Sequence, residues 1–232
     1  MKMMRFLLTA LLGFAALPAL AQEGAPAPAP AAAAVAPAPK PATVKVSLVT
    51  SEGNILLEIE TERAPITAKN FLRYVDAKRL DNAAFYRSIG QIGGANGIPD
   101  YGFAQGGVQY NPKKLFPSIP HEPTTKTGLS HTDGAISMAR LAPGTANGDW
   151  FIIVGDMKSM DANPAASGDN LGYAVFGRVV EGMDVIKKIV MAPKSPTLGE
   201  GVMKGQMLEP KIRIISAKRV STAQAPAVTP AK

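Results

Sequence analysis

The chain has 232 residues, no cysteine and a formal net charge of +7. Without cysteine there is no disulfide framework, no thiolate metal site and no thiol to carry a lipid, so a hydrophobic core alone must hold the fold. The charge excess is mild and comes with neither a nucleic-acid motif nor interleaved aromatics, which argues against a nucleic-acid surface.

Lys2 and Arg5 precede an apolar run from Phe6 to Leu20 that closes on Ala19-Leu20-Ala21. The run is short for a bilayer span and contains Pro18, so residues 1–21 read as a secretory signal removed before Gln22, leaving no stable membrane insertion. The expected location is exported: periplasmic first, secreted second. Residues 22–42 are rich in Ala and Pro from Gly24 to Pro41. Such a stretch lacks the apolar groups for a core and reads as an extended, disordered linker. Residues 43–220 form the expected domain, roughly 180 residues and long enough for one substantial core. Residues 221–232 are expected to be a disordered tail.

Within the domain, Val44, Val46 and Leu48 alternate with polar neighbours, Ser51-Glu52-Gly53-Asn54 turns the chain, and Ile55, Leu57 and Ile59 alternate again. That pattern predicts a β-hairpin. Pro65 then opens an amphipathic helix with Ile66, Phe71, Leu72 and Val75 at helical spacing. Further strands are expected at 84–89, 103–108, 134–139, 150–154, 173–179 and 211–217, and a second helix over 182–190. Many short strands separated by Gly- and Pro-rich loops, with two helices, mean an antiparallel sandwich or a closed barrel. Closure removes exposed strand edges and lets the helices plug the ends, which favours the barrel.

Five short motifs stand in order along this domain: Phe85-Tyr86-Arg87, Gln105-Gly106-Gly107, Ser137-Met138-Ala139, Trp150-Phe151-Ile152-Ile153 and Phe176-Gly177-Arg178-Val179. In order and spacing they resemble the cyclophilin family of peptidyl-prolyl cis/trans isomerases, from about Val44 to Val220. The resemblance implies an all-β fold, an eight-stranded antiparallel closed β-barrel capped by two α-helices, with a substrate groove on one outer face. It also implies rotation about the bond preceding proline, without cofactor or metal. By motif position Arg87 matches the family's catalytic arginine and Phe151 the aromatic floor of the proline pocket, with Phe85 and Met138 either supports beneath it or, the favoured reading, plain core. Gln105 matches a glutamine that bonds both substrate and arginine. Ala139 and Arg140 match edge positions whose backbone pairs with an extended substrate.

Several positions depart from the family pattern. Residues 90–101 form an insertion beside the groove, whose Gly93, Gly94 and Gly97 predict a mobile flap or a plain solvent loop. Phe103 alone is left to supply one apolar wall. Asp149 replaces a common glutamine and is placed to orient or partly neutralise Arg87, with Arg140 competing for it. Tyr173 replaces a rim histidine, and Gly168-Asp169-Asn170 occupy the stretch of a missing rim tryptophan.

Other motifs carry nothing. His121 and His131 are loop histidines without metal-ligand spacing, and Asp156, Asp161 and Asp169 lack the alternate-position spacing of a calcium site. The resemblance implies as partners proline-containing unfolded or loop segments of exported proteins, with a monomer as the default expectation. The other reading is a catalytically weak module or holdase that grips proline peptides through an altered groove.

Overall fold

The computed structural model describes residues 40–220, apart from 93–96, 98 and the side chain of Ile92. The expected signal, most of the linker and the tail lie outside the described residues. The chain runs β1 (Thr43–Thr50), β2 (Gly53–Glu60), α1 (Pro65–Asp76), β3 (Ala83–Ile92), β4 (Pro99–Gly107), α2 (Thr124–Thr127), β5 (Ala135–Met138), β6 (Asp149–Val154), β7 (Ala174–Glu181), α3 (Met183–Met191) and β8 (Met207–Arg219). The strands close into a barrel in the order β1-β2-β7-β5-β6-β4-β3-β8, every pairing antiparallel. The expected closed barrel is the observed one.

Alternation builds the first hairpin. Val46 and Leu48 on β1 face inward opposite Leu57 and Ile55 on β2, and Thr50 pairs directly with Gly53 across a two-residue turn. The Thr50 hydroxyl donates to the Gly53 carbonyl at 2.7 Å, which ties the turn shut. Helix α1 starts at Pro65, whose missing N–H costs nothing in a first turn. It buries Ala68, Phe71, Leu72 and Val75 against the barrel end reached by the last residues of β2. Helix α3 closes the opposite end through Val185, Ile186, Ile189 and Val190, Val185 standing against Gly53 at the start of β2. The two expected helices are joined by a third, the single turn α2, ended by Gly128 at φ 68°.

Strand β6 serves two compartments. Trp150, Ile152 and Val154 point into the barrel, while Phe151 and Ile153 join Phe103, Met157 and Val175 in a separate apolar cluster on the outer face. Inside, Trp150 meets Phe85 edge to face at 5.2 Å and Phe71 at 5.9 Å, geometries that aromatic quadrupoles favour.

The insertion at 90–101 is described at its flanks, while 93–96 and 98 of the segment expected to be a flap or solvent loop, Gly93 and Gly94 among them, lie outside the described residues. Gly90, Gln91 and Ile92 pair with Gly102, Tyr101 and Pro99, so both its flanks are continuations of β3 and β4. Close packing explains the glycines at the base. A Cβ on Gly90 would lie 2.4 Å from Val190 of α3, and one on Gly102 would lie 2.1 Å from the Ile89 carbonyl. The hairpin leans on α3, and none of its described residues reaches the groove described below.

Trp150 is 1 % exposed and fills the barrel interior. Trp150→Ala is expected to destabilise the domain by about 3–5 kcal/mol, since neighbouring rings on fixed strands cannot collapse into the space. Urea denaturation followed by far-UV circular dichroism measures it, and a loss under about 1 kcal/mol contradicts this packing account.

Candidate active site

Strand β3 carries a bulge. Phe85 pairs with Gly106 on β4 and Ile212 on β8, and the next paired residue is Arg87, opposite Gln105 and Met207. Tyr86 is the extra residue between them. Strict alternation would send Arg87 to the same face as Phe85, into the barrel. The bulge shifts the count by one and delivers the arginine to the outer face.

There it borders a groove of about 430 Å³ lined by Arg87, Gln105, Phe103, Phe151, Ala139, Arg140 and Tyr173 among others. The Phe151 ring is the floor, with its centroid 5.4 Å from Phe103 and 5.4 Å from Tyr173, the latter nearly perpendicular at 87°. The Arg87 guanidinium lies 5.2 Å from the Phe103 centroid, so one ring bridges the cation and the floor. Phe103 thus supplies the expected wall, joined by Met160.

Neutral groups hold Arg87. Its Nη1 donates to Gln105 Oε1 at 2.9 Å, while Nε and Nη2 donate to Gln206 Oε1 at 2.9 and 2.7 Å. Gln105 in turn donates from Nε2 to the Tyr86 hydroxyl at 2.7 Å. Burial pulls the Arg87 pKa below its ordinary value, partly offset by Tyr86, Tyr173 and Tyr110. None of its three bonds goes to a carboxylate, so the charge is oriented without being neutralised.

Three expected site residues lie elsewhere. Phe85 and Met138 are sealed in the barrel core, because both fall on the inward face of their strands. Asp149 is fully buried, and its carboxylate accepts the Gln109 N–H at 2.7 Å and the Tyr110 N–H at 3.1 Å rather than any group of Arg87. Burial raises its pKa, against those two bonds and one from the Tyr86 hydroxyl. Its work is to pin the turn that carries Gln109 and Tyr110 to the groove. Arg140 does not compete for it. That guanidinium pairs with Asp169 at 2.6 and 3.0 Å and donates to the Gly172 carbonyl. The missing rim aromatic is replaced by this ion pair. The Ala139 N–H is taken by the Asp149 carbonyl at 3.0 Å.

The residues that sequence reasoning missed come from far along the chain. Glu200, Met203 and Met207 form a wall, and Gln206 holds the arginine from behind it. No local signal marks them, because only the β3–β8 pairing brings that segment to the groove.

His131, one of the two loop histidines, is structural. It is fully buried beside the floor, its ring stacked on Phe151 with an interplanar angle of 12°. Nδ1 bonds Asp161 at 2.5 Å and Nε2 meets the Ser137 hydroxyl at 2.9 Å. These partners suit a neutral ring that donates from Nδ1 and accepts at Nε2. Among the described residues no cluster of three or more His, Cys, Asp or Glu has the geometry to hold a metal.

Comparison with known proteins agrees with this architecture. The family model described as "Cyclophilin type peptidyl-prolyl cis-trans isomerase/CLD" matches residues 45–219. A relative from Acinetobacter baylyi named "Peptidyl-prolyl cis-trans isomerase" is 34% identical over 186 residues, 79% of this chain and 90% of its own length. Another from Escherichia coli, "Peptidyl-prolyl cis-trans isomerase B", is 35% identical over 62% of this chain and 82% of its own. A solved cyclophilin-type isomerase from Cryptosporidium parvum shares the fold at a TM-score of 0.56 and 19% identity, covering 78% of this chain and 99% of that one. The same protein was also solved in the presence of the dipeptide Ala-Pro, at a TM-score of 0.54. The barrel, the groove and the family match together place the chain in the cyclophilin-type peptidyl-prolyl cis/trans isomerase family. Its activity is accordingly that of a peptidyl-prolyl isomerase.

Burial holds the His131 pKa below its ordinary 6.5, outweighing the pull of Asp161. Burial raises Asp161 too, but bonds from Ser130 and His131 outweigh it and hold its carboxyl below 3.8. For both groups the folded state binds fewer protons than the unfolded one, so stability is full at high pH and declines on acidification. The His131 part is lost as pH falls below about 6.5 through its folded value, and the Asp161 part follows below about 4. Thermal melting across pH 7.5 to 4.5 is expected to show this decline, flattened in His131→Gln. An equal slope in both proteins contradicts the assignment to His131.

Proposed function

We propose that the groove accelerates rotation about Xaa-Pro bonds in exported polypeptides, with Arg87 as the catalytic group. The observation that carries this reading is a guanidinium fixed by two carboxamides beside an aromatic floor. Amide resonance sets a barrier of about 18–20 kcal/mol, and the uncatalysed rotation takes tens to hundreds of seconds. As the bond twists, resonance is lost and the prolyl nitrogen regains a lone pair. A donor that meets that lone pair is worth more in the twisted state than in the planar one, which is the condition for catalysis. Three of the five N–H donors of Arg87 are engaged by protein, leaving two for substrate.

Phe151, Phe103 and Tyr173 offer a proline ring an apolar seat, and Arg140, braced by Asp169, offers backbone groups to an extended chain. No nucleophile and no change of protonation are required. The reading of a catalytically weak module rests on a carboxylate against Arg87, a missing rim aromatic and a loop beside the groove, of which the missing aromatic still favours it. Among the described residues the carboxylate is tied to the 109–110 turn and the insertion rests on α3.

The exported setting rests on the amino-terminal pattern of Lys2, Arg5 and the apolar run to Leu20. In an exported, newly unfolded chain the slow proline steps limit folding, and a catalyst there shortens them.

Arg87→Ala is expected to lower kcat/KM on an Xaa-Pro peptide by roughly a hundredfold or more while the melting temperature stays close to wild type. Arg87→Lys keeps charge but loses the planar fork, and most of the loss should remain. Activity within threefold of wild type in Arg87→Ala defeats the assignment. For location, the mature protein from a native host should begin at Gln22 by intact mass and fractionate outside the cytoplasm. An unprocessed amino terminus in the cytosol refutes export.

A further inference from the structure

Gln206 stands 119 positions from Arg87 in sequence, yet one oxygen of its carboxamide takes two of the arginine's N–H groups. The nitrogen of the same carboxamide donates to the Val202 carbonyl at 2.6 Å. The Gln206 backbone is fixed as well. Its carbonyl accepts the Ser88 N–H at 3.0 Å and its N–H donates to the Met203 carbonyl at 3.1 Å. Both ends of the side chain and both sides of its backbone are therefore committed, and the oxygen facing Arg87 has little freedom to move.

Gln105 by itself does not fix the arginine. A single bond at Nη1 leaves the guanidinium free to swing about that contact, with its plane and its remaining donors sweeping an arc. A second acceptor spanning Nε and Nη2 removes that freedom, since the two bonds converge on one point of the rigid fork. The acceptor's chemistry matters too. A carboxylate would orient the group as well but would place a counter-charge against it, weakening the donor toward a neutral lone pair. A carboxamide orients and leaves the charge in place.

We propose that Gln206 is a positioning residue for the isomerisation: its carboxamide oxygen sets the plane of the Arg87 guanidinium while its nitrogen anchors that oxygen to the turn at Val202. The inference rests on Arg87 being the catalytic group. Displacing a reacting group by about 1 Å can cost on the order of a hundredfold, so loss of this clamp should register in the chemical step rather than in binding.

The test is Gln206→Met in the full chain, a variant of similar length with no amide. Kinetics on an Xaa-Pro peptide should show kcat reduced roughly ten- to hundredfold with the peptide Kd within about twofold of wild type. Nitrogen-15 NMR of the arginine side chains gives a readout that mere structural damage would not produce. The Arg87 Nε–H signal, slow to exchange in wild type, should broaden or vanish in the variant while the backbone spectrum is retained. If the methionine variant does not fold, Gln206→Glu keeps an acceptor oxygen at the same reach and should preserve the protected Nε–H signal. Absence of that signal in the glutamate variant overturns the proposal, as does a folded methionine variant with wild-type kcat. A wild-type chain that catalyses nothing refutes the catalytic reading of Arg87 itself, whereas an active wild type beside an equally active Gln206→Met removes this inference alone.

Discussion

One extra residue in a strand decides what the barrel can do. Without the bulge at Tyr86, Arg87 would share the face of Phe85 and lie in an interior packed with Trp150 and Phe71. A guanidinium there would lose its hydration with no anion to compensate it, a state proteins avoid. With the bulge, the same strand delivers an apolar ring inward and a cation outward within three positions. Bulges are common where a side chain must be re-aimed next to a site, and this one is held from both sides by pairing to β4 and β8.

The rest of the groove follows from where those two neighbours run. Strand β4 supplies Phe103 and Gln105 on alternate positions of its outer face, and β6 places Phe151 directly opposite Gln105. Strand β8 begins at Met207, so the residues just before it, Glu200 to Gln206, arrive on the other side of the arginine. The polar network that results, from Tyr86 through Gln105 and Arg87 to Gln206 and Val202, is composed of neutral partners around one charge. In a partly buried setting such a chain stiffens its members without discharging the cation. Asp149, the nearby carboxylate, touches this network only at its far end through the Tyr86 hydroxyl and makes no bond to Arg87, two further bonds going to the 109–110 turn.

Much of this could be read from the sequence, and the remainder could not for definite reasons. Strand alternation and the two amphipathic helices were plain in Val46, Leu48, Ile55, Leu57 and in Phe71, Val75, Ile186 and Ile189, because burial on one face imposes a period. Motif spacing located Arg87, Gln105, Phe151 and Tyr173, all of which line the groove. Spacing leaves Phe85 and Met138 open between floor support and core, since resemblance marks positions near a site without saying which face of a strand they occupy, and the inward face makes both core. Asp149 was misread for a different reason: its partners are backbone amides, and backbone donors leave no trace in residue identity. Gln206 was invisible because its role exists only through pairing across more than a hundred residues. Gly90 and Gly102, at the base of the insertion, answer to close packing against Val190 and the Ile89 carbonyl, a constraint that residue identity alone does not reveal.

The placement of the only tryptophan has an optical consequence. Trp150 is enclosed among Phe71 and Phe85 on the inner side of β6, while its neighbour Phe151 forms the floor on the outer side. Indole emission from this protein therefore monitors the integrity of the barrel interior and is shielded from whatever sits on the opposite wall. Fluorescence titrations with unlabelled peptides should be nearly silent even at saturation, and occupancy has to be followed with a chromophore carried by the ligand.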